Sequence, residues 1–413
     1  MSDVRPAAIP VASPIVKPPF WLLVMITISG TLAMHMFVPA LPAAARAFDV
    51  SPAAMQMTIS VYILGLAAGQ LVYGPLSDGL GRRPMLLFGL GLYTAGSLLA
   101  SLAGDVHTLI AARLLQALGG CAGLALGRAM VRDTSTIDDS VRDLALLNLM
   151  VMAGPGLAPL VGSLLSVHFG WRSIFVVLGG MGLVTLLFSW RHLPETSRPS
   201  GEVSLRALLR DYSRLLRLPS FVGYALGGGC TTTSMYGFIA AAPFIFVDEL
   251  HRPLQEVGLY LGMLIVGMFV GNALTRRLIR VVRLERLLLV GNLIGLGSAL
   301  TLLAVVLLGA VSVLTVMIPI CLLTLGAGLA SPAAMTKALS VDAHLVGSAA
   351  GFYGFAQMLV GVLSTSAVGL GHDPALAAAT VLSIAEVLGL TGFWVGVRNE
   401  RKDRAADNLG ARP

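Results

Sequence analysis

The sequence predicts an all-α polytopic membrane protein with twelve transmembrane helices in two six-helix bundles. Three observations carry that expectation: the composition, the spacing of the apolar runs and the placement of the arginines. Of 413 residues 56% are hydrophobic and only 12% charged, with a mean hydropathy of +0.84. A soluble domain carries about a quarter charged residues. So much apolar surface does not fit one aqueous core, and the bilayer must act as solvent. Twelve spans of about 20 residues with short loops need roughly 400 residues, which is the length found.

Apolar runs delimit spans near 20–42, 55–75, 85–103, 107–130, 142–166 and 171–190. Six more follow near 220–247, 255–275, 285–309, 311–336, 346–371 and 374–397. This divides the chain into a tail (1–19), a first bundle (20–190), a linker (191–219), a second bundle (220–397) and a second tail (398–413). The first tail is Pro- and Ala-rich without a cleavable pattern and reads as flexible rather than as a signal peptide. Glycines 227, 228 and 229, with the hydroxyl residues after them, make span 7 polar and easily unwound at mid-depth.

Orientation follows from lysine and arginine. Even-numbered loops hold Arg82, Arg83, Arg132, Arg142, Arg276, Arg277, Arg280, Arg283, Arg286 and Lys337, and the linker holds six arginines. Odd-numbered loops offer only Arg46, Arg172 and Arg252. Even loops and both termini are therefore expected in the cytoplasm. The formal charge of +7 belongs to membrane surfaces, not to nucleic-acid binding. Within the linker, Leu205, Leu208, Leu209, Leu215 and Leu216 alternate with arginines as in a helix lying on anionic lipid. Cys121, Cys230 and Cys321 lie far apart in apolar runs and imply neither metal nor disulfide.

The segment Gly74-Pro75-Leu76-Ser77-Asp78-Gly79-Leu80-Gly81-Arg82-Arg83 is a tight charged turn between spans 2 and 3. It resembles the G-x-L-x-D-x-x-G-R-R/K loop of the major facilitator superfamily of transporters. Pro39-Ala40-Leu41-Pro42, Gly65-x-x-x-Gly69-Gln70, Gly127-Arg128-Ala129-Met130-Val131-Arg132-Asp133, Ala242-Pro243-Phe244, Gly347-Ser348-Ala349-Ala350-Gly351-Phe352 and Gly354-Phe355-Ala356-Gln357 resemble its bicyclomycin-resistance (Bcr/CflA) drug-efflux family. The resemblance implies a major facilitator fold, a site between the bundles near the midplane, and efflux of small drugs from a bacterial cytoplasm. It implies a proton gradient as energy source, with no cofactor, and a chain functional as a monomer. In these terms Gly74, Asp78, Gly81, Arg82, Arg83 and Arg128 form a conformational clamp. Asp78 there would accept hydrogen bonds from a helix N-terminus, that of span 11, and pair with arginines.

Span 5 carries Gly154, Pro155, Ala158, Pro159 and Gly162. Its prolines remove backbone donors, and its small residues let a neighbouring helix approach. The pattern resembles the antiporter motif of drug exporters. In span 4, Arg113 and Gln116 resemble the superfamily's R-x-x-Q-G-x-G, with Ala117 in place of its first Gly. A buried arginine is costly unless it faces a wet cavity or a partner, which makes Arg113 and Gln116 cavity candidates. Where the resembled family usually carries a span-1 aspartate, four residues before the first proline of P-A-L-P, this chain has His35. Histidine switches between neutral and positive instead of between negative and neutral. His35 lies about 22 Å from the cytoplasmic edge and Arg113 about 9 Å from the opposite one, so both reach a similar depth in a ~30 Å core. Repulsion from Arg113 favours a neutral imidazole. Glu386 is the only acidic residue well inside any span. His35 and Glu386 are the proton-coupling candidates.

Tyr62, Thr232, Tyr236, Tyr353 and Gln357 are further cavity candidates, as hydroxyls and aromatics suited to neutral, moderately apolar compounds. Three readings result. The first is a drug:proton antiporter, the second an exporter of a metabolite such as an amino acid or sugar, and the third a non-transporting sensor. An embedded enzyme is disfavoured, because no paired-carboxylate, Ser/His/Asp or metal-ligand cluster occurs at reactive spacing.

Overall fold

The computed structural model describes residues 17–134, 137–197, 205–342 and 345–410. Among the described residues twelve helices are long and apolar enough to cross a membrane. Spans 1 to 6 are Phe20–Phe48, Pro52–Leu80, Arg82–Ser101, Val106–Thr134, Ile137–Phe169 and Arg172–His192. A linker helix, Leu205–Leu216, precedes spans 7 to 12. These are Pro219–Glu249, Leu254–Leu278, Leu284–Leu307, Val313–Leu339, Val346–Gly369 and Pro374–Gly410. Connections with even numbers lie on one face of the molecule and those with odd numbers on the other, called here the even-loop and odd-loop faces.

Local chemistry explains where helices start, bend and stop. The Ser51 hydroxyl accepts from Ala54 N at the start of span 2, and Ser312 does the same for Thr315 N in span 10. Asp105 accepts from the backbone of His107 and Thr108 before span 4; with the Thr108 hydroxyl added, these bonds hold its carboxyl below the usual carboxylate range. Gly81 turns span 2 into span 3 at φ 99°, a conformation that a side chain resists. Pro39 tightens span 1 into a short 3₁₀ turn at Val38–Ala40. Pro155 and Pro159 remain inside a continuous helix.

Span 7 differs from expectation. It stays helical through Thr233 and breaks at Ser234, beyond the three glycines. The glycines serve as contact points: a Cβ on Gly227 would meet the Phe393 ring, and one on Gly228 would meet the Tyr353 hydroxyl. The second tail also departs from expectation, because span 12 continues as helix past Val397 to Gly410. Its Glu400 joins Lys337 of span 10 (2.9 Å), which also pairs with Glu285 of span 9 (3.2 Å). The linker helix packs on protein, where lipid was expected. Leu215 is fully buried against the second bundle, and Arg214 pairs with Asp342 at 2.8 Å. Asp211 accepts from the Ser348 hydroxyl at the start of span 11, while Leu209 and Leu216 stay exposed.

Packing repeats between halves. Span 4 sits among spans 1, 2 and 3, and span 10 among spans 7, 8 and 9. The halves meet along two seams, span 2 on span 11 and span 5 on span 8. In the first seam the Ser60 hydroxyl donates to Thr365 (2.8 Å). In the second, Gly258 and Gly262 approach Pro159, Ser163 and Gly156, and an apolar crevice of about 660 Å³ opens beside them. At the odd-loop face Arg46 pairs with Asp248 across the halves (3.2 Å).

The small residues of span 5 seat it on span 1: Gly154 faces Thr31, and a Cβ on Gly162 would lie 1.9 Å from the Met36 carbonyl oxygen. Overpacking of this kind costs about 1–3 kcal/mol. Gly162→Leu is therefore expected to melt at a lower temperature in detergent than Gly180→Leu, whose position has nothing within 4 Å.

Candidate transport site between the bundles

At mid-depth the seam brings span 1 against the break in span 7. His35 is buried, and its ring centroid lies 6.3 Å from that of Tyr236, just beyond Ser234. Its Nδ1 stands 2.8 Å from the Thr31 carbonyl, so Nδ1 bears the hydrogen and Nε2 of the neutral ring is left as an acceptor. Tyr236 in turn lies over Gly361 of span 11, which also faces Ile63 of span 2. Behind it, the Gln357 amide donates to Thr232 (2.9 Å), and the Thr233 hydroxyl donates to the Gln357 carbonyl (2.6 Å). Tyr353 completes the cluster, accepting from the Gln357 amide at 3.4 Å. Tyr236 and Gln357 keep part of their surface exposed, whereas Thr232 and Tyr353 are buried inside the second bundle.

Arg113, Gln116 and Tyr62 were expected on a cavity wall, and the structure places them inside the first bundle with no exposed surface. The guanidinium lies 4.0 Å from the Tyr62 ring centroid and under 6 Å from those of Phe37 and Phe175. It donates to the Ala33 carbonyl (2.9 Å) and to Gln116 (2.6 Å), and Gln116 donates to Ser97. Tyr62 donates to the Gly30 carbonyl (2.7 Å). Arg113 thus ties spans 1, 2, 3, 4 and 6 through aromatic faces and carbonyls. A desolvated cation over an aromatic ring gains about 2 kcal/mol or more. Its Nε and Nη2 have no hydrogen-bond partner among the described residues. The Ala33 carbonyl lies two residues from His35, so the cation shares span 1 with the imidazole.

The turn between spans 2 and 3 forms its clamp through Arg82. This side chain reaches Asp78 (2.6 Å), Ser77 and Asp133 at the end of span 4 (3.0 Å). Gly81 makes the turn, while a Cβ on Gly74 would meet nothing within 4 Å. Arg83 donates to the Trp190 carbonyl of span 6 (2.7 Å). Arg128 lies on the same span as Asp133 and is exposed. Glu195, after span 6, was not singled out from sequence: its carboxylate accepts from the backbone of Arg82 and Arg83, capping span 3. A glutamate directly after Pro194 at the end of an apolar run is the signal that marks it.

Glu386 does not line this seam. It is fully buried among spans 7, 9 and 12, where Asn292 donates to it (2.6 Å) and to Thr231 (3.0 Å). Asn292 was also overlooked, although a lone amide inside an apolar span is a readable signal. Asn148, in span 5, has a side chain outside the described residues.

A polytopic helical protein of two similar bundles, with polar groups gathered where they meet, is a membrane transporter by architecture. The chain belongs to the Major Facilitator Superfamily, whose model matches residues 23–365. It is 29% identical to an uncharacterised MFS-type transporter, YdgK, of Bacillus subtilis over 92% of this chain and 95% of that protein. It is 27% identical to a bicyclomycin resistance protein homologue of Haemophilus influenzae (62% and 65% covered) and 31% identical to a chloramphenicol resistance protein of Pseudomonas aeruginosa (60% of each). The crystal structure of a D-xylose-proton symporter superposes with a TM-score of 0.70 at 14% identity, covering 90% and 96% of the two chains; at that identity it speaks for the fold alone. The protein is a multi-pass transporter and not an enzyme.

Because Arg82 links spans 2 and 4 through Asp78 and Asp133, a neutral Asp78 weakens that tie without touching the seam cluster. Asp78→Asn is expected to abolish net transport while ligand affinity stays measurable in a binding assay. Wild-type turnover by this variant would remove the clamp from the transport cycle.

Proposed function

We propose that the protein exports small, mostly uncharged drugs across a bacterial cytoplasmic membrane in exchange for protons, with both termini in the cytoplasm and one chain as the working unit. The observation that carries this reading is the placement of His35, a titratable ring on span 1 facing Tyr236 across the seam. Support for the substrate class comes from relatives named for bicyclomycin and chloramphenicol resistance. It also comes from the seam itself, where Tyr236 and Gln357 offer an aromatic face and an amide without a negative charge. Such groups suit neutral ligands of moderate polarity.

In this mechanism the two bundles rock about the seams while each stays rigid. A proton taken up by Nε2 makes His35 cationic in sight of Arg113, and the two cations repel. Release of the proton removes that charge and leaves Nε2 an acceptor on the face toward Tyr236, so occupancy of His35 biases the approach of span 1 to span 7. The arginine-rich even loops support the orientation, with Arg46–Asp248 closing the outer face.

Expression in a drug-hypersensitive host is expected to raise tolerance to chloramphenicol and to at least one unrelated neutral drug; protection against none of a broad panel would end the drug-export reading. In everted vesicles an exported drug should release protons, and His35→Ala should lose that release while His35→Ala protein still binds the drug. A drug that is transported without proton movement by the wild type would remove antiport from the mechanism.

A further inference from the structure

We infer that Glu386, Asn292 and Thr231 form a second proton-binding site, inside the C-terminal bundle and separate from the His35 seam. Its consequence for transport rests on the proton-coupled reading above, but the site itself does not. Glu386 is fully buried, and among the described residues no cation lies within ion-pairing distance. A carboxylate enclosed in this way has lost its water without gaining a counter-charge, which favours the neutral acid.

The hydrogen bonds point the same way. Asn292 Nδ2 donates to Glu386 Oε2 (2.6 Å), to the Glu386 backbone carbonyl (3.1 Å) and to Thr231 Oγ1 (3.0 Å). Two buried oxygens, Glu386 Oε1 and Asn292 Oδ1, have no hydrogen-bond partner among the described residues. Both are acceptors, and the Thr231 hydroxyl, which bonds the carboxyl, is the one O–H donor among these three side chains. One added proton gives the carboxyl an O–H of its own and removes its charge, while Asn292 Oδ1 stands as an acceptor without a partner among the described residues. Held by one amide, one hydroxyl and no cation, the buried group is better satisfied as the acid than as the carboxylate.

The backbone is shaped for the group. A Cβ on Gly295 would lie 2.8 Å from the carboxyl carbon and Oε1, and one on Gly389 would lie 2.9 Å from both Asn292 Nδ2 and Thr231 Oγ1. Span 9 and span 12 therefore give up side chains where the acid and amide meet. The titratable groups of the surrounding elements leave the assignment intact. Span 7 offers the buried Cys230 thiol, whose Cβ is near Gly389. Span 11 offers Tyr353, held against Gly228. Glu285 of span 9 and Glu400 of span 12 lie at the even-loop end, paired with Lys337.

Thr231 connects this site to the moving parts. It lies three residues before the break at Ser234, next to Thr232, which accepts from Gln357. As the halves rock, the second bundle carries the site as one body. Opening of the seam beside Thr232 and Gln357 gives water a route to the acid past the Ser234 break, where the proton leaves; closing of the seam shuts that route.

The test is infrared difference spectroscopy on the full-length protein in lipid, with the pH stepped from neutral to alkaline. The wild type is expected to show the carbonyl stretch of a protonated carboxylic acid at neutral pH, and Glu386→Gln to lose that band. Asn292→Leu should shift the band without removing it, a readout that survives if Glu386→Gln folds poorly. Absence of any Glu386-dependent acid band at neutral pH overturns the site, and a Glu386→Gln protein with unchanged proton release per drug exported overturns its part in transport. If the wild type exports no drug but the band is present, the export reading fails and the proton site stands.

Discussion

Backbone-to-backbone contact inside each bundle is the constraint on which the rest of the molecule depends. Lipid offers helices no hydrophobic reason to associate, so close packing must do it. Span 4 meets span 3 where a Cβ on Gly119 would lie 2.2 Å from Tyr93 N, and span 1 where one on Gly123 would lie 2.1 Å from the Ile26 carbonyl oxygen. Span 10 repeats the arrangement, with Gly326 at 2.4 Å from the Gly291 carbonyl of span 9 and Gly328 at 2.4 Å from that of Met268 in span 8. Only the absence of side chains allows these distances. Each bundle becomes a rigid body around its fourth helix, and Arg113 can sit dry because that body is closed.

Much of the fold was legible because its signals are local. Apolar length fixes a span wherever it occurs in the chain, and a charged turn such as that at Gly81 sits between two of them. The internal repeat was harder to see from the Gly271 segment, which lacks the aspartate of the Gly74 turn. It is plainer in the glycines: Gly65 and Gly69 let span 2 lie on span 4, and Gly267 and Gly271 let span 8 lie on span 10. Four-residue spacing of small groups survives because packing requires it. The charges at the turns can trade places, as Arg82–Asp133 in one half and Glu285–Lys337 in the other illustrate.

The site was less legible, for a physical reason. Whether Arg113 faces water or aromatic rings depends on Phe37, Tyr62 and Phe175, which belong to three other spans. Nothing near residue 113 in the chain encodes them. The same holds for Glu386, whose partners come from spans 7 and 9. A polar residue inside a span announces that it has a partner, because the alternative is too costly. It does not announce which one. The linker was misjudged similarly: leucines among arginines suit a lipid surface, and they suit equally a protein surface that supplies Asp342 and Ser348.

The contrast between bundle interior and seam sets the energy scale for motion. Across the seams the described polar contacts are few: the Ser60–Thr365 hydrogen bond and the exposed Arg46–Asp248 pair. A net hydrogen bond contributes about 0.5–1.5 kcal/mol, and an exposed ion pair about 0–1 kcal/mol. Spans 5 and 8 also meet backbone to backbone at Gly258 and Gly262. Breaking the polar contacts of the seams takes a few kcal/mol at most, while separating span 4 from its neighbours would dismantle a bundle. One elementary charge crossing a 100 mV membrane potential is worth about 2.3 kcal/mol. That is comparable with the polar contacts of the seams. A proton bound at mid-depth can thus favour one tilt of the halves over the other without loosening either, and this is the property that coupling at His35 would need.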